Sequence, residues 1–119
     1  MKKEITVIFK KIVALALAFI AFSSFAENRA ELAWQKIEQG ALIVDVRTPQ
    51  EFDTQHIESA VNFPLETVNV AFNNVDKDQQ IVVYCRSGNR SGQAERFLKK
   101  NGFTNVHNGG GLNEMLASK

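Results

Sequence analysis

From residue 28 onward the spacing of apolar positions alternates between the periods of helices and strands. Residues 28–39 put Leu32, Trp34 and Ile37 on the apolar side of a helix, with Asn28 as its N-cap and Gly40 as its stop. Leu42-Ile43-Val44 is a short unbroken apolar run, the mark of a strand covered on both faces. Thr48-Pro49-Gln50-Glu51 is a capping box with proline at the first helical position, so a short helix starts there. Val61-Asn62-Phe63 predicts a second short strand, stopped by Pro64, and Leu65 to about Phe72 has helical spacing. A polar loop over Asn73–Gln79 leads to the strongest strand signal, Ile81–Tyr84. Helical spacing resumes after Arg90 and runs to Lys100, where Asn101-Gly102 ends it. Thr104–His107 predicts a last strand, and Gly109-Gly110-Gly111 reads as a turn into a terminal helix.

Strands alternating with helices through short connections predict an α/β domain: a central, mostly parallel sheet with helices on both faces. Small ligands bind such folds beyond the carboxyl ends of the strands. The central strand ends at Cys85, and Cys85-Arg86-Ser87-Gly88-Asn89-Arg90-Ser91 forms the loop that enters the next helix. At a helix N-terminus backbone N–H groups are unpaired and the dipole favours anions. A thiol placed there, beside two guanidiniums, ionises more easily than a free cysteine. The chemistry implied is a thiolate nucleophile facing a small anionic substrate.

Residues 1–26 carry a different pattern. Lys2, Lys3, Lys10 and Lys11 stand against one acid, Glu4, and precede the apolar run Ile12–Phe22 and the small-residue site Ser24-Phe25-Ala26. This is the layout of a secretory signal cut after Ala26. The run is shorter than the about 20 residues that a membrane span needs. Residues 27–119 are therefore expected to be one exported domain, periplasmic in a bacterium, with no stable membrane contact after cleavage. The leader holds four of the 14 Lys+Arg and one of the 13 Asp+Glu, which leaves ten basic and twelve acidic residues, net −2. A mildly acidic domain of this kind offers no electrostatic case for binding nucleic acid.

Cys85 is the sole cysteine of the chain and cannot form an internal disulfide. In an oxidising compartment it is either buried and inert or used, and the arginines around it favour use. With two histidines and one cysteine at no ligand spacing, a metal site is not expected. The glycine run lacks the lysine of a nucleotide-binding loop, and no cofactor is implied.

Taken together the motifs resemble a single-domain rhodanese, a sulfurtransferase, of the exported kind. The residues that carry the resemblance are Asp45-Val46-Arg47 followed by Glu51-Phe52, then His56-Ile57 with Ala60, Asn62 and Pro64. They continue through the Cys85 loop to Gly102-Phe103, Val106 and Gly110-Gly111. The resemblance implies Cys85 as catalytic nucleophile, taking the outer sulfur of thiosulfate or a similar small anionic donor as a persulfide. Cyanide, a thiol, or an exported dithiol protein would then accept it. Arg86 and Arg90 would hold the donor's oxygens, with Ser87, Gly88, Asn89 and Ser91 supplying the rest of the binding loop. Asp45, Arg47, Glu51 and His56 would be structural support, with Arg47 tied to Glu51. In some two-domain relatives the position of Glu51 carries a donor-binding arginine, a clamp this chain lacks. Tryptophan is common in the family where this chain has Met115, and Trp34 is expected to be a core anchor.

Two other functions stand beside this one. Cysteine phosphatases and arsenate reductase-like enzymes use related loops, but a phosphatase places five residues between cysteine and arginine, and only four separate Cys85 from Arg90. A non-catalytic sulfur-carrying or binding module is the alternative outside the enzymes.

Overall fold

The computed structural model describes residues 28–119, so the expected leader and its cut site lie outside the described residues. Helix α1 (Arg29–Glu38) leads to β1 (Leu42–Asp45), α2 (Pro49–Thr54) and β2 (Val61–Asn62). A 3-10 turn at Leu65–Thr67 runs into α3 (Val68–Ala71), and β3 (Ile81–Cys85), α4 (Asn89–Lys100), β4 (Val106–Gly111) and α5 (Leu112–Ala117) complete the order. The four strands form one parallel sheet in the order β2-β1-β3-β4. No helix among the described residues is long and apolar enough to cross a membrane.

Side chains alternate across β3 and divide the core into two layers. Ile81, Val83 and Cys85 pack with Val68, Phe72, Ala94 and Leu98, on the face covered by α3 and α4. Val82 and Tyr84 pack with Ala30, Ala33, Leu112 and Met115, on the face covered by α1 and α5. All five residues of β3 are buried, as a strand between two helical layers requires. The capping box of α2 forms as expected: Thr48 Oγ1 accepts from the Glu51 amide at 3.2 Å, and Glu51 Oε1 accepts from the Thr48 amide at 3.2 Å.

Three expectations are corrected. Leu32 does not face the core but is 40% exposed; the inward face of α1 is Ala30 and Ala33, with Trp34 and Ile37 at its border. Small residues are used there because α1 lies directly on β4: a Cβ at Gly109 would stand 3.1 Å from Ala33 Cβ and 2.8 Å from Met115 Sδ. Trp34 is anchored by its indole N–H, which donates to the Met115 carbonyl at 2.7 Å. Asn28 sits at the N-cap of α1, but its side chain makes no capping bond.

The largest correction concerns the glycine run, which is part of β4 and not a turn. The strand begins at Val106 and continues through Gly111, with Val83 opposite Asn108, Tyr84 opposite Gly110 and Cys85 opposite Gly111. Gly109 is the extra residue of a bulge. The glycines serve close approach: a Cβ at Gly111 would collide with the Arg86 carbonyl, and one at Gly110 with the Glu114 carboxylate. Gly111→Ala is therefore expected to lower stability by about 1–3 kcal/mol, the range for forcing extra atoms into a packed site. The urea midpoint measures this, and an unchanged midpoint would mean that the close approach of β4 to the Cys85 loop does not matter.

Candidate active site

Cys85 is the last residue of β3 and is fully buried. The chain then curls through Arg86 and Ser87 to Gly88, the N-cap of α4, which has φ 95°. That left-handed conformation suits glycine, and it turns the Gly88 amide toward the sulfur, N to Sγ 3.1 Å. From the first turn of α4, Ser91 Oγ stands 3.3 Å from Sγ. Burial pushes the Cys85 thiol up, but hydrogen bonds from the Ser91 hydroxyl and the backbone amides of Ser91, Ser87 and Gly88 outweigh it. The net shift is below the ordinary cysteine value.

The expected loop residues divide into two groups. Gly88 and Ser91 are buried against the sulfur, whereas Arg86, Ser87 and Asn89 are exposed. Arg86 makes no hydrogen bond or ion pair with the described residues, so its guanidinium is available. Arg90 is half-buried and held by Glu51 in a two-pronged pair, Nη1 to Oε1 2.7 Å and Nη2 to Oε2 3.0 Å.

The supporting residues are rearranged relative to expectation. Arg47 is not tied to Glu51. Its Nε and Nη2 donate to the buried Asp45 carboxylate at 2.7–3.1 Å, and Nη2 also reaches the Gln55 carbonyl at 2.5 Å. Two residues apart at the end of β1, Asp45 and Arg47 close a local ring, with the Arg47 amide on Asp45 Oδ1 at 2.8 Å. Asn62 Nδ2 donates to the carbonyls of both at 3.0 Å, which joins β2 to the turn. Glu51 is thereby left to Arg90. His56 stacks on Phe52 with ring centroids 3.7 Å apart, and its Nδ1 lies 2.8 Å from the Phe52 carbonyl. The hydrogen bond of its ring goes to α2, not to the sulfur.

Three residues at the site had no sequence signal. Arg29, at the start of α1, pairs with Glu114 of α5, Nε to Oε2 2.7 Å and Nη2 to Oε1 2.8 Å. Its Nη2 also donates to the Ser87 carbonyl at 3.2 Å, which pins the outer side of the loop. The partners are 85 positions apart, beyond the reach of any local pattern. Asn108 of β4 is the third: Oδ1 accepts from Ser91 Oγ at 2.8 Å and from the Gly110 amide at 3.0 Å, and Nδ2 donates to the Gly88 carbonyl at 3.0 Å. Among the described residues no cluster of His, Cys, Asp or Glu could hold a metal ion.

The model of the Rhodanese-like domain matches residues 29–117. The chain belongs to the rhodanese-like domain family. It is 38% identical over 78 residues to thiosulfate sulfurtransferase PspE of Escherichia coli (strain K12), covering 64% of this chain and 75% of that one. A sulfurtransferase of Allochromatium vinosum is 37% identical over 70 residues, covering 59% of this chain and 65% of its own length. Among solved structures, a rhodanese with anions from E. coli superposes with TM-score 0.60 at 38% identity, covering 63% of this chain and 91% of that one. The rhodanese fold and its four-stranded parallel sheet agree with the α/β architecture read from the sequence.

The Arg90–Glu51 pair has a consequence in acid. Arg90's hydrogen bond holds the Glu51 carboxyl at about 2, against an ordinary 4.5, with burial opposing and Thr48 assisting. A carboxyl whose folded value is depressed contributes stability above its unfolded value, and the contribution is lost as pH falls through the folded one. Glu51→Gln is therefore expected to destabilise the domain at pH 6, the difference shrinking from pH 4.5 toward about 2. Urea midpoints of both proteins across that range test it; a difference constant with pH would show that the pair does not act through ionisation.

Proposed function

We propose that this protein is a thiosulfate-type sulfurtransferase in which Cys85 carries the transferred sulfur as a persulfide. The observation that supports this most directly is the sulfur's own setting. A fully buried Sγ is met by the Gly88 amide and the Ser91 hydroxyl, and Arg86, next in the chain, has no ion-pair partner among the described residues. Donors on this sulfur stabilise the thiolate, the form in which a cysteine attacks.

In the first half-reaction the Cys85 thiolate attacks the outer sulfur of thiosulfate. A new S–S bond forms, the donor's own S–S bond breaks, and sulfite leaves with the electron pair. Arg86 holds the donor's oxygens; Arg90, already aligned by Glu51, offers a second guanidinium whose donor fork suits oxyanions. The outer sulfur of the persulfide then bears the negative charge, and the loop amides of residues 86–91 stabilise it. In the second half-reaction cyanide or a thiolate attacks that outer sulfur, the bond to Sγ breaks, and the thiolate returns. The similarity to a rhodanese solved with anions and to a thiosulfate sulfurtransferase supports an anionic donor. Four residues between Cys85 and Arg90 make a cradle tighter than a phosphatase loop.

The test is the intact mass of the reduced protein after thiosulfate, before and after cyanide. A gain of one sulfur atom that cyanide removes, absent in Cys85→Ser, is expected. No gain on verified reduced thiol would overturn thiosulfate as donor, and turnover of an aryl phosphate instead would replace sulfur transfer with phosphatase chemistry.

We also propose that the protein acts in the periplasm, after a leader is cut behind Ala26. The support is the lysine-rich start, the apolar run Ile12–Phe22 and the small residues at Ser24 and Ala26. Expressed in a Gram-negative host, the full chain should yield a periplasmic protein whose first residue is Glu27. A cytoplasmic protein that retains Met1 or residues 2–26 would overturn export.

A further inference from the structure

Ser91 has one hydroxyl proton and two acceptors within reach. Cys85 Sγ lies 3.3 Å from its oxygen and Asn108 Oδ1 lies 2.8 Å away, both ordinary lengths for their atom types. The side-chain amide of Asn108 cannot turn to change this. Its Oδ1 is held by the Gly110 N–H at 3.0 Å and its Nδ2 by the Gly88 carbonyl at 3.0 Å, so only the oxygen faces Ser91. The bulge at Gly109 sets this orientation, since it puts Asn108 opposite Val83 and Gly110 opposite Tyr84. Asn108's own amide is fixed by Glu95 Oε2 at 3.2 Å. Ser91 is fully buried.

We propose that Asn108 is a positioning residue that competes with the Cys85 sulfur for the Ser91 proton, making the hydroxyl a two-position donor. While Sγ is a thiolate, the hydroxyl donates to it. Once Sγ is bonded to a second sulfur its charge has moved outward, and the hydroxyl turns to Asn108 Oδ1. When an acceptor breaks the S–S bond and the electron pair returns to Sγ, the hydroxyl turns back and stabilises the departing thiolate. No proton changes its owner, and the swing is a rotation about one bond. The sulfur-bonded half of this cycle rests on the persulfide reading; the competition for the proton does not.

The test is the pH midpoint of Cys85 alkylation, followed without any sulfur donor in Asn108→Ala, Asn108→Asp and Ser91→Ala. Removing the competing oxygen leaves the hydroxyl to the sulfur, so Asn108→Ala is expected to lower the midpoint by about half a unit to one unit. Asn108→Asp strengthens the competitor and adds a negative charge, and should raise it. Ser91→Ala should also raise it, and in that background Asn108→Ala should have no further effect. The charged groups around the loop are Arg86, Arg90 with Glu51, Arg29 with Glu114, and Glu95, and all are retained in these variants. A midpoint that rises in Asn108→Ala would mean that Asn108 only holds the loop in shape, and would overturn the proposal. So would an Asn108→Ala effect of full size in the absence of the Ser91 hydroxyl. Failure of thiosulfate to add sulfur, with the midpoints shifting as expected, would remove the sulfurtransferase reading and leave this one standing.

Discussion

A thiolate covered by protein must be faced by donors, and a loop whose N–H groups turn inward must turn its carbonyls outward. That constraint organises the site end of the molecule. With the Gly88 amide on Sγ, the Ser87 and Gly88 carbonyls point away from the sulfur and need partners of their own. Arg29 serves the first, and Asn108 together with the Gly92 amide serves the second, at 2.9–3.2 Å. The last strand must run close beneath the loop to deliver Asn108. This is why β4 is built from glycine at the positions facing Arg86 and Glu114. The donors on one buried sulfur thus determine the composition of a strand, the bulge within it, and the pairing of the first helix with the last.

The same end of the sheet keeps its charges under control. Asp45 is fully buried and answered by Arg47 within one turn of chain, so the ends of β1 and β2 are fixed without involving the loop. Arg90 and Arg29 each carry a carboxylate partner from a different element, while Arg86 has none among the described residues. The domain as a whole is mildly acidic, and its local positive character comes from the three arginines of the loop and its flanks, of which only Arg29 and Arg90 have carboxylate partners among the described residues. Shared guanidiniums have little freedom to collapse onto the thiolate. They keep their geometry while still contributing field, since both feel the Cys85 charge.

What could be read from the chain alone was what is decided within a few residues. The Thr48–Glu51 capping box, the buried β3 strand and the cysteine at its end are local, and they form as expected. The glycine run was misread because glycine has two meanings, freedom in a turn and absence of a side chain at a close contact. Only the second operates at Gly109 and Gly111, and it depends on what lies across the sheet. Leu32 was misplaced for a related reason: the apolar side of α1 is chosen by the room above β4, which admits alanine and excludes leucine. The pairing of Glu51 with Arg90, 39 positions along the chain, could not be read locally, whereas Arg47 is a near neighbour of Glu51 in sequence. Geometry at the end of β1 satisfies Arg47 with Asp45 and decides the matter. Arg29, Glu114 and Asn108 were invisible because their significance lies wholly in partners distant along the chain.

Burial of the sulfur has one more implication for the proposed chemistry. A buried Sγ is shielded from oxidants larger than the donor it must admit. It is also a poor target for a bulky acceptor. A persulfide carries its outer sulfur about 2 Å beyond Sγ, along the direction from which the donor arrived. The group handed over therefore stands further out than the group that holds it, and the acceptor meets sulfur without reaching the cysteine. In both half-reactions the entering and leaving atoms would lie in line across the outer sulfur, so the acceptor would approach from the side by which sulfite left. In the proposed cycle the short loop, with four residues between Cys85 and Arg90, would therefore limit donor and acceptor alike at the atom that meets the outer sulfur.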